Sequence, residues 1–296
     1  MSKETKFIIL QASVVFNRQI SLFDEKYEDT KEGRNKAFRA TIHKLQEKKV
    51  IKISPRITEY VLVYKTSISE DIIYCQLAKR TQMETYKLSD NDIKQEQIDS
   101  YPPLDVFINL KQQQFAVEIN TSILIESSIE TNIKNLINSL VKEFSIFVNT
   151  VQSKKEFWDL VDDEDEIQEI SFDLVVPNFF NATGEANDLV SNAKDKLNAD
   201  SVGLTIKNKK GKLKAELSAI DSYVRYASQT GAWKLKIKQN GETKYKTIHS
   251  TDCCLKKTIE ADLLDLLKKV DDNWQVGTDV YNGLLAKLNG LFNDEN

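Results

Sequence analysis

The sequence predicts an α+β fold in two domains: a β-rich N-terminal domain with a long helix, and a C-terminal α+β sandwich with lysine-rich hairpins. Three observations carry this. Trp233, Leu235 and Ile237 alternate with Lys234, Lys236 and Lys238, the two-residue period of a strand with one buried face. Ile133, Leu136, Ile137 and Leu140 recur at the 3.6-residue period of an amphipathic helix. Finally, 296 residues exceed a typical single domain, and the acidic run at 159–169 (DLVDDEDEIQE) reads as a linker. The expected domains are therefore 1–158 and 170–296.

Taken in order, residues 7–16 form a dense apolar run suited to a buried strand, and 24–34 read as a charged loop or short helix. Phe38, Ile42 and Leu45 give 36–49 a helical stripe. Residues 59–65 and 71–79 read as paired strands, and 89–100 as a polar stretch closed by Tyr101-Pro102-Pro103. Residues 104–110 and 115–119 form a hairpin across Lys111–Gln114. From 127 to about 151 the helical spacing continues through Val141, Phe144 and Val148, so one long helix is expected. In the second half, 167–176 is a strand ending at Pro177-Asn178, 184–197 a helix and 202–206 a strand. A short helix follows at 221–228, then a hairpin from 231 to 250 around Asn240-Gly241. Helices at 256–270 and 279–292 close the chain.

Charge points to the functional surface. Residues 201–257 hold twelve Lys and one Arg against four Asp and Glu, a net of +9; with −4 overall, the remainder carries −13. The candidate nucleic-acid-binding residues are Lys207, Lys209, Lys210, Lys212, Lys214, Arg225, Lys234, Lys236, Lys238, Lys244, Tyr245 and Lys246. Lysines act on phosphates as point charges, and Tyr245 offers a ring on which a base can stack. Lys207 to Lys212 are expected at the tip of a hairpin between 202–206 and 213–217, with Lys214 in its second strand. For the hairpin at 231–250, a two-residue loop sets Lys244 and Lys246 on the side of Trp233, away from Lys234, Lys236 and Lys238. A longer, bulged loop gathers all five on one face. The sequence leaves the register open. It also leaves open a plainer role, since lysine-rich edges protect sheets against aggregation. Trp233 itself reads as core.

Several chemistries lack their residues. No phosphate-binding glycine loop, nucleophile elbow or zinc-protease motif occurs, and two histidines with no paired cysteines argue against a zinc site. No cofactor or metal is expected. In His249-Ser-Thr-Asp-Cys-Cys254 a base, an acid and thiols are adjacent, but Ser250, Thr251 or Asp252 reads better as a helix cap. Asp173 with Lys207 and Lys209 can be drawn as a nuclease site without a motif to support it. The acidic run has two further readings, a carboxylate metal site and a strip that covers the basic surface. Cys75 reads as a buried thiol. Three cysteines form no disulfide framework, which favours a reducing, cytoplasmic setting. The opening MSKETKFIILQASVVF reads as a strand rather than a signal peptide, and no apolar stretch reaches a membrane span.

The strand 172–178 with its Pro-Asn end, then 202–206, GAWKLKI at 231–237 and TIHSTD at 247–252, resembles in order a family of phage-resistance-associated bacterial proteins of the RexA exclusion type. The resemblance implies a DNA-binding sensor or regulator without catalysis, often a homodimer. The expected function is thus phage exclusion through phosphate-backbone binding. The alternative is a protein-interaction module whose basic hairpins dock an acidic partner, and a metal-dependent nuclease comes last. An operon-encoded partner is compatible with either of the first two.

Overall fold

The computed structural model describes residues 4–16, 30–55, 58–89, 92–162, 166–175, 184–197, 199, 201–208, 213, 217–238, 243–268 and 278–293. The fold is α+β with antiparallel strand pairs. Two compact units emerge: unit 1 is Met1–Phe7, Val14–Val148 and Lys257–Asn296, and unit 2 is Ile8–Ser13 and Asn149–Lys256. The division lies at 149 and 257, not inside the acidic run. The C-terminal residues, expected in the second domain, belong to unit 1.

Strand β1 (Glu4–Phe16) is followed by α1 (Lys31–Lys48), whose start is fixed by Thr30: its hydroxyl accepts from the Gly33 amide at 3.1 Å. Ala37, Phe38, Thr41, Ile42 and Leu45 form its buried stripe, and Lys49 at φ 62° ends it by donating its N–H to Leu45 O. Then come β2 (Val50–Ile53), β3 (Tyr60–Ser67), β4 (Ile72–Lys79), β5 (Thr81–Ser89), β6 (Asp92–Ser100), β7 (Pro103–Asn109) and β8 (Gln114–Glu118). Asn109 makes the β7–β8 turn, its Oδ1 accepting from the amides of Lys111 and Gln112 at 3.0 and 2.9 Å. Helix α2 (Glu126–Asn138), β9 (Phe144–Thr150), β14 (Lys256–Glu260), α6 (Ala261–Lys268) and α7 (Asp279–Phe292) complete this part. The sheet runs β14-β1-β8-β7-β4-β3-β2, with β9 also on β1. In unit 1, Phe38 and Phe115 meet edge to face with centroids 6.0 Å apart, and the Tyr281 hydroxyl donates to Ile68 O at 2.7 Å.

Two expected helices are corrected. The long helix ends at Asn138 and Phe144–Thr150 is a strand. Phe144 and Val148, four apart, suit both periods, whereas buried Ile146 between them decides for alternation. Asn138 holds the strand start, accepting from the Ile146 amide at 2.8 Å and donating to its carbonyl at 2.7 Å. Likewise 256–260 is strand β14, and the helix begins only at Ala261. Within the polar stretch 89–100, Asp92–Ser100 is β6, which lacked alternation because no face of it is buried.

Unit 2 contains α3 (Lys154–Asp162), β10 (Glu166–Val175), α4 (Glu185–Leu197), β11 (Ser201–Lys207), α5 (Leu217–Thr230), β12 (Gly231–Lys238) and β13 (Lys246–His249). Its four-stranded sheet runs β11-β10-β12-β13. The apolar face packs Ile170, Phe172, Leu174, Trp233, Leu235 and Ile237 with Val190 of α4, with Ile220, Val224 and Ala227 of α5, and with Phe157 of α3. Phe157 and Trp233 meet edge to face at 5.0 Å. Of the expected hairpin partner for β11 at 213–217, residues 214–216 lie outside the described residues and Leu217 opens α5, while β11 pairs with β10. Among the described residues, no helix is long and apolar enough to cross a membrane.

Candidate functional site

The face of the unit 2 sheet opposite its helices is polar. Alternation makes it so: with Phe172 opposite Trp233 and Leu204 on the core side, Ser171 stands between Thr205 and Lys234 on the other. Two cross-strand rows result. One is Thr205, Ser171, Lys234 and His249, and the next is Lys207, Glu169, Lys236 and Thr247. A bulge between Ile167 and Glu169 then turns Glu166 outward opposite Lys238. Ile167 and Ile170, three apart, are both buried, which a regular strand does not permit. That spacing was the sequence signal for the bulge.

The β12–β13 register sets Lys234 opposite His249 and Ile237 opposite Lys246. Lys246 therefore falls on the side of Ile237, and the arrangement with five lysines on one face is excluded. Of the twelve candidate residues, the face gathers Lys207, Lys234, Lys236 and Lys238, with Tyr245 at its margin: the Tyr245 hydroxyl donates to Glu166 at 2.8 Å, and Lys236 Nζ lies 5.9 Å from its ring centre. Arg225 is on α5, in the layer across the sheet, and pairs with Asp221 at 2.6 Å. Lys244 is exposed just before β13. Lys209, Lys210, Lys212 and Lys214, like the Asn240-Gly241 turn and Pro177-Asn178, lie outside the described residues.

Sequence reasoning did not place Glu166 and Glu169 in the sheet beside the lysines, giving their run to a linker, a metal site or a strip covering the basic surface. Both stand in β10 among the lysines, with Asp173 further along. Lys207 pairs with Glu169 at 3.1 Å and Lys238 with Glu166 at 3.9 Å. Lys234 and Lys236 make no salt bridge with a described carboxylate. The +9 of the basic stretch is thus diluted: the face carries four lysines against three carboxylates, and unit 2 as a whole has sixteen Lys and Arg against seventeen Asp and Glu.

At the end of β13 the expected cap is corrected by one residue. His249 caps the short turn Ser250–Asp252: its side chain accepts from the Asp252 amide, while its own amide donates to Asp252 Oδ2 at 3.3 Å. Ser250 is used differently, its Oγ accepting from the Trp233 amide at 3.1 Å. Residues 27–264, a span containing every strand and helix of the open face, match a family model described as a domain of unknown function, DUF4747. The chain belongs to the DUF4747 family. No curated protein matches it.

Within this DUF4747 chain two of the three thiols, Cys75 and Cys253, are buried. Burial, aided by the Glu156 carboxylate, pushes Cys253 up to about 12, and burial raises Cys75 further, so both are protonated at neutral pH. No group of three or more His, Cys, Asp or Glu side chains suited to a metal ion occurs among the described residues. Glu169 is lowered below the ordinary carboxylate value, chiefly by its hydrogen bond with Lys207 and also by that with Ser171. A depressed pKa contributes stability that is present above the unfolded value and is lost as pH falls through the folded one. Lys207→Ala is accordingly expected to move the Glu169 carboxyl titration upward in carbon-13 NMR. An unmoved titration would show that this pair does not hold the carboxylate.

Proposed function

We propose that this DUF4747 protein binds the phosphate backbone of nucleic acid on the open sheet face of unit 2, as a non-catalytic component of phage exclusion. The observation that carries the reading is the row Thr205–Ser171–Lys234–His249 beside Lys207 and Lys236. It combines a hydroxyl chain, Thr205 donating to Ser171 and Ser171 to Glu169, with two lysines that make no salt bridge among the described residues, on a face no described helix covers. Hydroxyls and lysines together are what backbone contacts use, and they carry little sequence information. Tyr245, 37% exposed, supplies a ring at the margin. The exclusion role rests on the order of the motifs from Phe172 to Asp252.

The test is fluorescence anisotropy with a labelled duplex and a labelled single strand across a salt series. The wild type is compared with a quadruple variant, Lys207→Glu, Lys234→Glu, Lys236→Glu and Lys238→Glu, and with a control carrying Arg225→Glu in the helix layer. Four phosphate contacts predict a log–log salt slope of about −3 to −4, abolished in the quadruple variant and kept in the control. Absence of binding near physiological salt, or equal loss in the control, would overturn the proposal. An acidic protein partner would then be the better occupant for the lysines.

A further inference from the structure

Strands β4 and β5 pair with β7 and β6 in one unbroken register: Ile72 faces Asn109, Ala78 faces Pro103, Thr81 faces Ser100 and Ser89 faces Asp92. They form a single long hairpin whose inner half lies in the unit 1 sheet. The outer half, β5–β6, forms a separate two-stranded sheet. Nine residues per strand extend it by about 30 Å. Its base is fixed, since Arg80 pairs with Asp99 at 2.8 Å and the Tyr101 hydroxyl donates to Glu59 at 2.7 Å. Beyond the base it is open on both faces: Met83, Tyr86, Leu88, Ile93 and Ile98 are between 45% and 77% exposed. Two-stranded ribbons of this kind are marginal in water without a further strand or layer, and an uncovered edge is a template for pairing.

The charges on β6 indicate which strand completes it. Lys94 and Glu96 are two residues apart and so share a face. A two-fold axis through Gln95 brings the β6 strands of two copies together antiparallel, with Lys94 of each opposite Glu96 of the other. Within one chain Lys94 stands opposite Lys87, a like-charge pair that lowers the stability of the ribbon. A carboxylate arriving beside Lys94 offsets that repulsion. Neither Lys94 nor Glu96 has an ion pair among the described residues. Strand β5 lacks the property, because Glu84 and Lys87 are three apart and lie on opposite faces. We propose that the free edge of β6 is a homodimer interface, in which two ribbons join β6 to β6 into a four-stranded antiparallel sheet. Such an isologous contact is self-complementary, and closed pairs are the commonest oligomers. This inference concerns a different unit from the lysine face and does not depend on it.

The experiment is light scattering after gel filtration, with sedimentation over a concentration series, on the full chain. The wild type is expected to have twice the chain mass. Glu96→Lys and Lys94→Glu, each a change at an exposed position, are expected to weaken association about tenfold or more. The double variant Lys94→Glu with Glu96→Lys recreates the pairs with their signs exchanged and is expected to return to the dimer. A monomeric wild type would overturn the proposal. Single variants that associate like the wild type, or a double variant that stays dissociated, would overturn it as well.

Discussion

Trp233→Ala is expected to destabilise unit 2 by about 3–5 kcal/mol, the cost of deleting a fully packed aromatic side chain. Trp233 is 2% exposed at the centre of the four-stranded sheet, facing Phe157 edge to face and lying opposite Phe172 on β10. Its removal leaves a cavity walled by strands and helices that cannot collapse onto it. Trp233→Phe separates volume from polarity. The indole Nε1 is buried and reaches no acceptor among the described residues, so phenylalanine loses some contact area but also removes a donor whose desolvation was uncompensated. Its cost is expected to be about 1 kcal/mol. Urea unfolding followed by circular dichroism, with hydrogen exchange on peptides from β10 and α5, reads both. A loss below about 1 kcal/mol for Trp233→Ala would show that the packing around the ring is not what holds the sheet to its helices.

The second large effect is expected at Gly231. A Cβ built there lies 2.2 Å from the Asp173 carbonyl oxygen, and the neighbouring Ala227 Cα is 3.4 Å away. Both are backbone atoms in regular elements, so no side-chain rotation relieves the clash. Strand β10 must separate from β12 where Leu174 faces Gly231. Gly231→Ala is therefore expected to cost about 3 kcal/mol, at the upper end for overpacking. Gly203 in β11 provides the control, because its Cβ would meet nothing within 4 Å. Gly203→Ala should change stability by less than about 0.5 kcal/mol, as surface substitutions usually do. Equal midpoints for the two variants in thermal unfolding would refute the steric argument.

Much of the fold was legible because burial imposes periodicity. The buried β1 run, the β3–β4 and β7–β8 pairs, helices α1, α4, α5 and α7, and the β12–β13 hairpin all follow from apolar spacing. Elsewhere the same physics left no mark or an ambiguous one. Residues Phe144 and Val148 satisfy two periods at once. The β5–β6 ribbon buries neither face and so shows none. The open sheet face was half legible. The alternation of Lys234, Lys236 and Lys238 placed them together, but the carboxylates that share their face come from β10, more than sixty residues earlier. Local charge counting could not associate the two. A bulge then had to reverse the side on which Glu166 points, and pairing across strands, not sequence distance, determines what a charge meets.

The two longer stretches of unit 1, 14–148 and 257–296, have a consequence for biosynthesis. The hydroxyl of Tyr281 bonds to a carbonyl 213 positions earlier, and Leu284, Leu288 and Leu291 of the same helix are buried. As the chain leaves the ribosome, the first stretch must wait for more than a hundred residues of unit 2 before its last helix arrives. Unit 2, made without such an interruption apart from its six residues at 8–13, can close first. A nascent chain that has emerged from the ribosome as far as residue 256 would therefore carry a completed lysine-bearing sheet in unit 2 and, in unit 1, an apolar surface still awaiting α7, and that surface is where a chaperone would bind.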